Sequence, residues 1–470
     1  MNRRQLLKQG GAATTLLKLN LAGRAAAQGS ASQNDRKSLV CIYFSGGLDS
    51  FHVLVPRDDN RWQEYKDSRT NIAHAQNRLL PLSEIGGSSS GELYGLHPQC
   101  SKLADMFNGT GSFTSGRRAS WLSNVGTLIK PLTMDEYRTG RAGLDVPIGI
   151  AGHVRQAEQW QTTLPQGTVN LRGWMGRTAD LLGGSFNRDG ASMNLSLAGN
   201  NTLQLGEETR PFSFNPFLEL GLSGRSVSDV ENPLAIKNLL HRRLLDQRYQ
   251  QNYAEETFAD ISLSSLQRQQ GIQTALESFP TSQLPVKFSR GSFHKDLEAV
   301  VKLIATRESQ GLSRQTFFVQ APGGWDDHFV LGQGFDDRIK EVSDALAIFQ
   351  QNLDQLGLAE SVVGFTTSEF ARTLRSTSFG SDHAWGGPQM VFGEPIDSGK
   401  IFGRFPSLAL DSEDDIGRGG RLLPDRGCDE YFADLLRWFG VDDDQLDIAL
   451  PNYGSFTSVA GRDPIGFIRS

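Results

Sequence analysis

Three short, uninterrupted apolar segments constrain the fold of this 470-residue chain more than any other feature. They are residues 38–44 (SLVCIYF), 315–320 (QTFFVQ) and 361–367 (SVVGFTT). A strand with one solvated face alternates apolar and polar residues, whereas a strand buried on both faces is apolar throughout. The segments therefore predict three buried strands, and residues 389–392 predict a fourth, shorter one.

A long amphipathic helix is predicted between the second and third of these strands. Apolar residues recur at three- and four-residue steps from Ile339 to Leu356, and Gly357 follows at the expected end of the helix. The order strand, helix, strand is typical of a parallel sheet that is covered by helices. We therefore expect an α/β fold with a mostly parallel central sheet.

Acidic residues and histidines follow the predicted strands at their carboxyl ends. In parallel α/β sheets these ends line one edge, and ligands bind there. Carboxylates and imidazoles at such an edge are suitable ligands for Zn²⁺, Mg²⁺, Mn²⁺ or Ca²⁺, because a cation offsets the repulsion between the carboxylates. The sequence therefore predicts a site for one or two divalent metal ions. Its predicted ligands are Asp49, Asp326, His328, Glu369, Asp382 and His383.

Several of these residues also have a purely structural interpretation. Asp49 follows two glycines and fits an ordinary turn. Glu369 fits a helix cap, or an ion pair with Arg372, as well as it fits a metal site. His383 fits a packed core histidine, and Asp327 is expected to be the solvated neighbour of the metal-binding aspartate.

Composition limits the classes of function. The formal net charge of −6 argues against a nucleic-acid partner. No window has the roughly 18 consecutive apolar residues of a membrane span. The cysteines, Cys41, Cys100 and Cys428, lack the spacing of a zinc site. Cys41 is expected to be a packed thiol, and Cys100 with Cys428 is a candidate disulfide pair.

Residues 1–27 have the three parts of a twin-arginine export signal. Arg3 and Arg4 form the basic part, residues 10–23 the mildly apolar part, and residues 25–27 (AAA) a small-residue cleavage site. The alternative is an ordinary basic terminus. The signal predicts that the Tat translocase exports the folded protein, which is then periplasmic or secreted.

The remaining residues, 38–470, are expected to form a single domain with an insertion at about residues 173–295. Residues 173–215 are rich in Gly, Asn, Ser and Thr and predict loops over the sheet. Residues 233–279 are polar and predict a helical cap.

Taken in order, four motifs resemble the family known as domain of unknown function 1501. They are GGLD, GGWDDH, VVGFTTSEFAR and SDHAWGGPQMVFGE, and weaker matches include the segment GHVRQ that contains His153. The resemblance extends from about residue 38 to the C-terminus. This family in turn resembles the alkaline phosphatase and sulfatase superfamily. The resemblance implies a three-layer α/β sandwich with a helical insertion and metals at the strand ends.

The resemblance also implies a function, the metal-dependent hydrolysis of small phosphate or sulfate esters. Glu369 and Phe370 depart from the Asp and His of many superfamily members, which puts a second metal in doubt. Gly152 stands where family members often carry Ser before the histidine matched by His153. His153 and, as a substitute nucleophile, Ser50 are therefore the catalytic candidates. Thr127 is a further substitute, and direct attack by a metal-bound water is the alternative to a side-chain nucleophile. The alternative is a non-catalytic exported protein that binds a metal, a glycan or a protein partner on this scaffold.

Overall fold

The computed structural model describes residues 35–85, 92–167, 172–187, 192–216 and 253–469. The predicted export signal at residues 1–27 lies outside these ranges, as does the first part of the predicted helical cap. None of the described helices is both long enough and apolar enough to cross a membrane.

A nine-stranded sheet forms the centre of the molecule. Its strands are β1 (Lys37–Phe44), β5 (Ala119–Gly126), β6 (Asn194–Ser196), β7 (Phe212–Ser213), β8 (Arg314–Gln320), β9 (Val362–Ser368), β12 (Gly387–Phe392), β13 (Ile401–Phe402) and β14 (Arg426–Gly427). They lie in the order β13, β5, β12, β9, β1, β8, β6, β7, with β14 also paired to β5. Strand β12 is antiparallel to β5 and β9, and the other pairings are parallel. The predicted mostly parallel sheet and its four predicted strands are confirmed.

Two smaller sheets and a set of helices complete the fold. The smaller sheets contain β2 (Leu54–Pro56), β3 (Leu80–Leu82) and β4 (Tyr94–Leu96), and β10 (Arg372–Thr377) with β11 (Gly380–His383). The described helices are α1 (Ser50–Val53), α2 (Asp59–Arg69), α3 (Ser101–Asn108), α4 (Met134–Thr139), α5 (His153–Thr162), α6 (Trp174–Phe186), α7 (Tyr253–Ser278), α8 (Ser292–Ala305), α9 (Gly332–Gln355), α10 (Cys428–Phe439), α11 (Leu446–Ala449) and α12 (Tyr453–Thr457).

The central strand shows why the sheet has a helical layer on each face. Successive side chains of a strand point to opposite faces, and β1 is apolar at nearly every position. Val40 and Ile42 join one core with residues of α3, α8 and α9. Leu39 and Cys41 join a second core with residues of α5, α6 and α10. The molecule is therefore a three-layer α/β sandwich.

The predicted amphipathic helix is confirmed as α9. Its apolar residues, including Ile339, Leu346 and Leu353, are buried. The helix ends at Gln355, and Gly357 follows with a φ of +69°. Glycine adopts this left-handed conformation without the steric cost of a side chain, so it suits the end of a helix.

The interpretation of residues 173–215 as loops is wrong, because this segment contains α6, β6 and β7. Two of its glycines serve close packing rather than loop formation. A Cβ at Gly173 would lie 2.1 Å from the Leu203 carbonyl oxygen, and one at Gly176 would lie 2.1 Å from the Leu205 carbonyl carbon. Asn194 is buried in β6, where its side chain donates to the Gln204 carbonyl oxygen at 2.8 Å.

The three cysteines are free, buried thiols. Cys100 lies in the core on one face of the sheet, and Cys428 lies in the core on the other. The suggested disulfide between them is therefore wrong, whereas the packed thiol predicted for Cys41 is confirmed.

Candidate metal centre

Three histidines and one aspartate meet beyond the carboxyl ends of the central strands. The Nε2 atom of His328 lies 2.8 Å from His383 Nε2 and 3.0 Å from Asp326 Oδ1. His383 Nε2 lies 3.3 Å from Asp326 Oδ1, and His153 Nε2 lies 3.5 Å from Asp326 Oδ2. We call these four residues the strand-end cluster, in which three Nε2 atoms surround a single carboxylate.

The turns after β1 and β8 position the aspartate. Gly46 follows β1 with a φ of +102°, and a Cβ there would lie 2.8 Å from the Asp326 backbone nitrogen. The Trp325 backbone N–H donates to the Ser45 carbonyl oxygen at 2.9 Å. The glycines after β1 therefore allow the two turns to pack together, and the buried indole of Trp325 anchors the second turn.

The other two ligand segments meet the cluster from different elements. His383 ends β11, whose Ser381 N–H donates to the Asp327 carbonyl oxygen at 3.0 Å. Gly380 permits this contact, because a Cβ there would lie 2.3 Å from the same oxygen. His153 is the first residue of α5, where Gly152 takes the N-cap position.

Hydrogen bonds to the Nδ1 atoms fix the orientation of two rings. His383 Nδ1 lies 2.9 Å from the Ala151 carbonyl oxygen, which can only accept, so this nitrogen carries a proton. His153 Nδ1 bonds in the same way to Glu369 Oε2. Burial lowers the pKa of His383, and Arg372 and the neighbouring imidazoles lower it further, so its ring is neutral near pH 7. His383 therefore presents an unprotonated Nε2 to Asp326.

Glu369 has its oxygens occupied by protein donors. Oε1 accepts from the Gly46 N–H at 2.9 Å and the Tyr43 hydroxyl at 3.1 Å, and Oε2 bonds to His153. Neither structural alternative for this residue is correct, since strand β10 rather than a helix follows and Arg372 pairs with Asp326. The geometry gives Glu369 the role of orienting His153.

Arg372 is a fully buried cation that joins the cluster to the turn after β1. Its Nη2 lies 2.5 Å from Asp326 Oδ1, and its Nε donates to the Gly47 carbonyl oxygen at 2.8 Å. Burial raises the pKa of Asp326, but the hydrogen bond and charge of Arg372 outweigh this, and the net pKa is lowered. Asp326 is therefore a carboxylate in the folded protein.

Asp382 lies within reach of the predicted site, whereas Asp327 differs from what its position in the sequence suggested. Asp382 Oδ1 lies 3.5 Å from His328 Nδ1, at the edge of the strand-end cluster. The Asp327 side chain is only 16% exposed and pairs with Arg338 at 2.6 Å, whereas the Asp326 side chain is 45% exposed. The expectation that Asp327 is the solvated member of the pair is therefore wrong.

Asp49 is held by other protein groups, and Ser50 is buried. Asp49 Oδ2 accepts from Arg69 Nη2 and from Ser381 Oγ, each at 2.6 Å. Asp49 lies outside the groups of histidines and carboxylates whose ligand atoms fall within 4.8 Å of one another. Ser50 Oγ is buried without a hydrogen-bond partner in the described part of the chain, and a Cβ at Gly387 would lie 2.6 Å from it.

The strand-end cluster fits a divalent cation. His383 Nδ1 carries a proton, so its Nε2 lone pair points at His328 Nε2, 2.8 Å away. Such a contact is repulsive unless a proton or a cation lies between the rings. Zinc sites use imidazole nitrogens of this kind, whose second nitrogen is held by a carbonyl or carboxylate.

Four contributors to this site were not predicted in their roles. The sequence suggested Arg372 only as a partner of Glu369, and it gave no role to Arg69, Ala151 or Tyr43. The sequence contains one indication for Tyr43, because this residue lies near the end of the apolar run of β1, just before the GGLD motif. The Ala151 carbonyl leaves no trace in the sequence, because a backbone oxygen is common to all residues.

A second group of histidines lies in the interior beside α1. His52, His74 and His97 form the buried trio, with ring centroids 3.9 to 5.3 Å apart. His97 Nδ1 accepts from the Gln99 N–H at 3.1 Å, so its proton is on Nε2. Nε2 lies 3.1 Å from Asp336 Oδ1 but is not aligned for a hydrogen bond. His97 therefore has no free lone pair for a shared cation.

Comparison with known proteins gives a family similarity over part of the chain. Residues 223–417 match the family model described as "Protein of unknown function (DUF1501)". The matched range includes Asp326, His328, Glu369 and His383, and it excludes His153. No curated protein matches the chain.

One solved structure covers most of the chain at low similarity. It is described as "Crystal structure of Ps i-CgsB in complex with k-i-k-neocarrahexaose". The identity is 10% and the TM-score 0.33, with 87% of this chain and 73% of that chain covered. Similarity at this level does not define the fold, which is established by the strands and helices of this chain.

Proposed function

We propose that this protein is an exported, metal-dependent hydrolase of phosphate or sulfate esters. The observation that carries the proposal is the convergence of three imidazole Nε2 atoms on Asp326 at the strand ends. Clusters of this composition are a recurrent basis for hydrolysis in proteins.

His153, His328, His383 and Asp326 would hold the metal, and Asp382 extends the set. Three nitrogen ligands and one carboxylate favour Zn²⁺ over Mg²⁺ or Ca²⁺, which prefer oxygen ligands. His383 belongs to each of the two overlapping ligand groups, which favours one ion rather than two. When bound, the cation would supply the Lewis acidity that ester hydrolysis requires.

The surrounding residues preorganise this site. Glu369 orients His153, the Ala151 carbonyl orients His383, and Arg372 offsets the charge of Asp326. Each of these groups is fixed by further contacts in the protein, so little reorganisation accompanies substrate binding. Among the described residues, no Ser or Thr hydroxyl bonds to the ligand atoms of the cluster. We therefore propose water as the nucleophile.

Arg421 is the residue that we propose for binding the anionic group of the ester. Its guanidinium interacts electrostatically with Asp382, and its Nε is buried without a hydrogen-bond partner in the described ranges. The adjacent residue, Leu422, accepts a hydrogen bond from the Gly386 N–H at 3.2 Å, which fixes this loop beside the segment that carries His383. Guanidinium groups bind phosphate and sulfate oxygens well.

The test is elemental analysis of protein purified from the periplasm without chelators, followed by assays with aryl phosphates and aryl sulfates. One bound equivalent of metal together with hydrolysis would support the proposal. A protein that remains free of metal after addition of Zn²⁺, Mn²⁺ and Ca²⁺ would rule it out.

A second candidate function is metal or ligand binding without catalysis. The observation in its favour is that Arg69 and Arg372 already neutralise Asp49 and Asp326, and no hydroxyl nucleophile bonds to the cluster. Bound metal without hydrolysis of any phosphate or sulfate ester would favour this function. Partners would then include a glycan or a protein.

Export is tested separately from catalysis. The double variant Arg3→Lys/Arg4→Lys should accumulate in the cytoplasm with residues 1–27 retained, because both arginines define the twin-arginine pattern. The measurement is fractionation followed by N-terminal mass determination. Processing and periplasmic recovery of the double variant would show that another signal directs this chain.

A further inference from the structure

Exposed apolar side chains surround the strand-end cluster. Phe329 and Val330 directly follow His328 and are 76% and 62% exposed, and Phe379, in the turn between β10 and β11, is 61% exposed. Val154, which follows His153, is also exposed. Monomeric proteins seldom leave adjacent large apolar groups in water without a binding role.

We call the first three of these residues the apolar rim. Val330 and Phe379 are paired in a parallel bridge, and the Leu331 N–H donates to the Phe379 carbonyl oxygen at 2.8 Å. The Thr377 hydroxyl donates to the His328 carbonyl oxygen, and the ring centroids of His328 and Phe329 are 6.2 Å apart. Backbone bonds therefore hold the apolar rim against a predicted metal ligand.

The apolar rim offers no hydrogen bond to the hydroxyl groups of a sugar. Phe and Val side chains contain no hydrogen-bonding atom, whereas a sugar ring presents several hydroxyl groups. Hydroxyls that lose water without gaining a partner oppose binding, whereas an aromatic ring or an alkyl chain gains free energy from the same contact.

We propose that the apolar rim binds the alcohol portion of the ester, and that this portion is aromatic or otherwise apolar rather than a sugar. The inference rests on the proposed function, because it places the anionic group of the ester at the strand-end cluster. The rim then contributes to substrate binding beside the metal ligands without taking part in the bond cleavage.

The experiment compares the binding of phenylphosphonate and methylphosphonate, two stable anions that differ in the apolar group. Isothermal titration of the protein purified from the periplasm should show phenylphosphonate binding about ten- to a hundredfold more tightly. The ratio of the two affinities should fall to near one in the double variant Phe329→Ser/Phe379→Ser. The affinity of this variant for methylphosphonate should stay the same.

Phe258→Ser provides the matched control. Phe258 lies on α7 and is 61% exposed, as is Phe379, but it is far in sequence from the cluster. This variant should keep the full ratio. Thermal unfolding of the three proteins checks that each remains folded, which is expected because all three phenylalanines are exposed.

Four outcomes would overturn the inference. Equal affinity of the native protein for both phosphonates removes only the role of the apolar rim, whereas binding of neither anion removes the proposed function as well. If the double variant still binds phenylphosphonate more tightly than methylphosphonate by the full ratio, another surface causes that preference. If the native protein and not the double variant sediments with phosphatidylglycerol vesicles, and the ratio is absent, the rim faces a lipid surface instead.

Discussion

The described part of the chain contains two groups of three histidines, and the position of the ring protons separates them. In the strand-end cluster, Nδ1 of His153 and of His383 bond to acceptors, so each ring directs its Nε2 atom at Asp326. In the buried trio, His97 Nδ1 is already occupied by a backbone N–H. Proximity of imidazoles is therefore not sufficient for a metal site, because the lone pairs must also converge.

The surroundings of the two groups of histidines lead to the same distinction. The strand-end cluster encloses a half-exposed carboxylate, which favours a cation. The buried trio packs its rings against each other and against Phe335, and His74 Nε2 lies 3.1 Å from the His52 carbonyl oxygen. The trio therefore behaves as part of the apolar core, in which neutral imidazoles fill space and satisfy a few backbone groups.

The largest difference between variants of the strand-end cluster and variants of the buried trio is expected in metal content. His383→Ala should abolish metal binding, because it removes the one ligand that both ligand groups share. His74→Gln should keep full occupancy, since His74 belongs to the buried trio and the amide can still donate to the His52 carbonyl. Elemental analysis of both variants measures this. Loss of metal from His74→Gln, with retention in His383→Ala, would reverse the assignment of the two groups.

The next difference is in the dependence of stability on pH. Burial lowers the pKa of His74 from 6.5 to about 4 and that of His97 to about 3, and the pKa of His52 is also lowered. The unfolded chain therefore binds more protons than the folded one below pH 6.5. Stability due to these rings is complete above pH 6.5 and falls as the pH decreases towards 4 and then 3.

Urea unfolding with a chelator present measures this effect without bound metal. Each buried histidine should contribute a slope of about 1.4 kcal/mol per pH unit between its two pKa values. His97→Gln should reduce the slope by about one such increment below pH 6.5. An unchanged slope in this variant would mean that His97 does not titrate differently in the folded and unfolded states.

Burial explains which parts of the fold were predictable from the sequence. Strands β1, β8, β9 and β12 each contain a short apolar run and are buried at nearly every position, and helix α9 has an apolar stripe, so each was predicted from local pattern. Strand β6 was missed because its buried polar residue, Asn194, is satisfied by a loop ten residues away. Hydrogen bonds of this kind depend on the tertiary structure and leave no periodic pattern.

Contacts that depend on the tertiary structure also limited the prediction of the site. Asp326 and His328 were predicted because parallel strand ends converge, whereas His383 was predicted from the SDHAWGGPQMVFGE motif of the family resemblance. The structure brings the three residues within 3.3 Å of one another. Asp49 also follows a strand, but Arg69 from a later helix binds it. The role of Glu369 depends on which donors face its two oxygens, and the sequence does not specify those donors.

Glu369→Gln tests whether orientation of one ring matters to the strand-end cluster. The amide presents either a donor or an acceptor to His153 Nδ1, so the ring loses its fixed proton position. Metal affinity should fall about ten- to a hundredfold, as is typical when the partner of a ligating imidazole is changed. Glu298→Gln is the matched control, because Glu298 is also buried but pairs with Lys295 and Lys302 on α8. The measurement is a competition titration with a chromogenic chelator. If Glu369→Gln bound metal as tightly as Glu298→Gln, Glu369 would have no orienting role.

The smallest difference is expected at the acidic residue beside each group of histidines. Asp382 Oδ1 lies 3.5 Å from His328 Nδ1, and Asp336 Oδ1 lies 3.1 Å from His97 Nε2. Asp382→Asn should weaken metal binding a few-fold, because the carboxylate adds negative charge beside a ligand. Asp336→Asn should leave metal affinity unchanged and alter stability by less than about 1 kcal/mol, since the neighbouring imidazole is neutral. If the two variants had the same effect on metal affinity, the charge beside the rings would not distinguish the groups, and the distinction would rest on the ring protons alone.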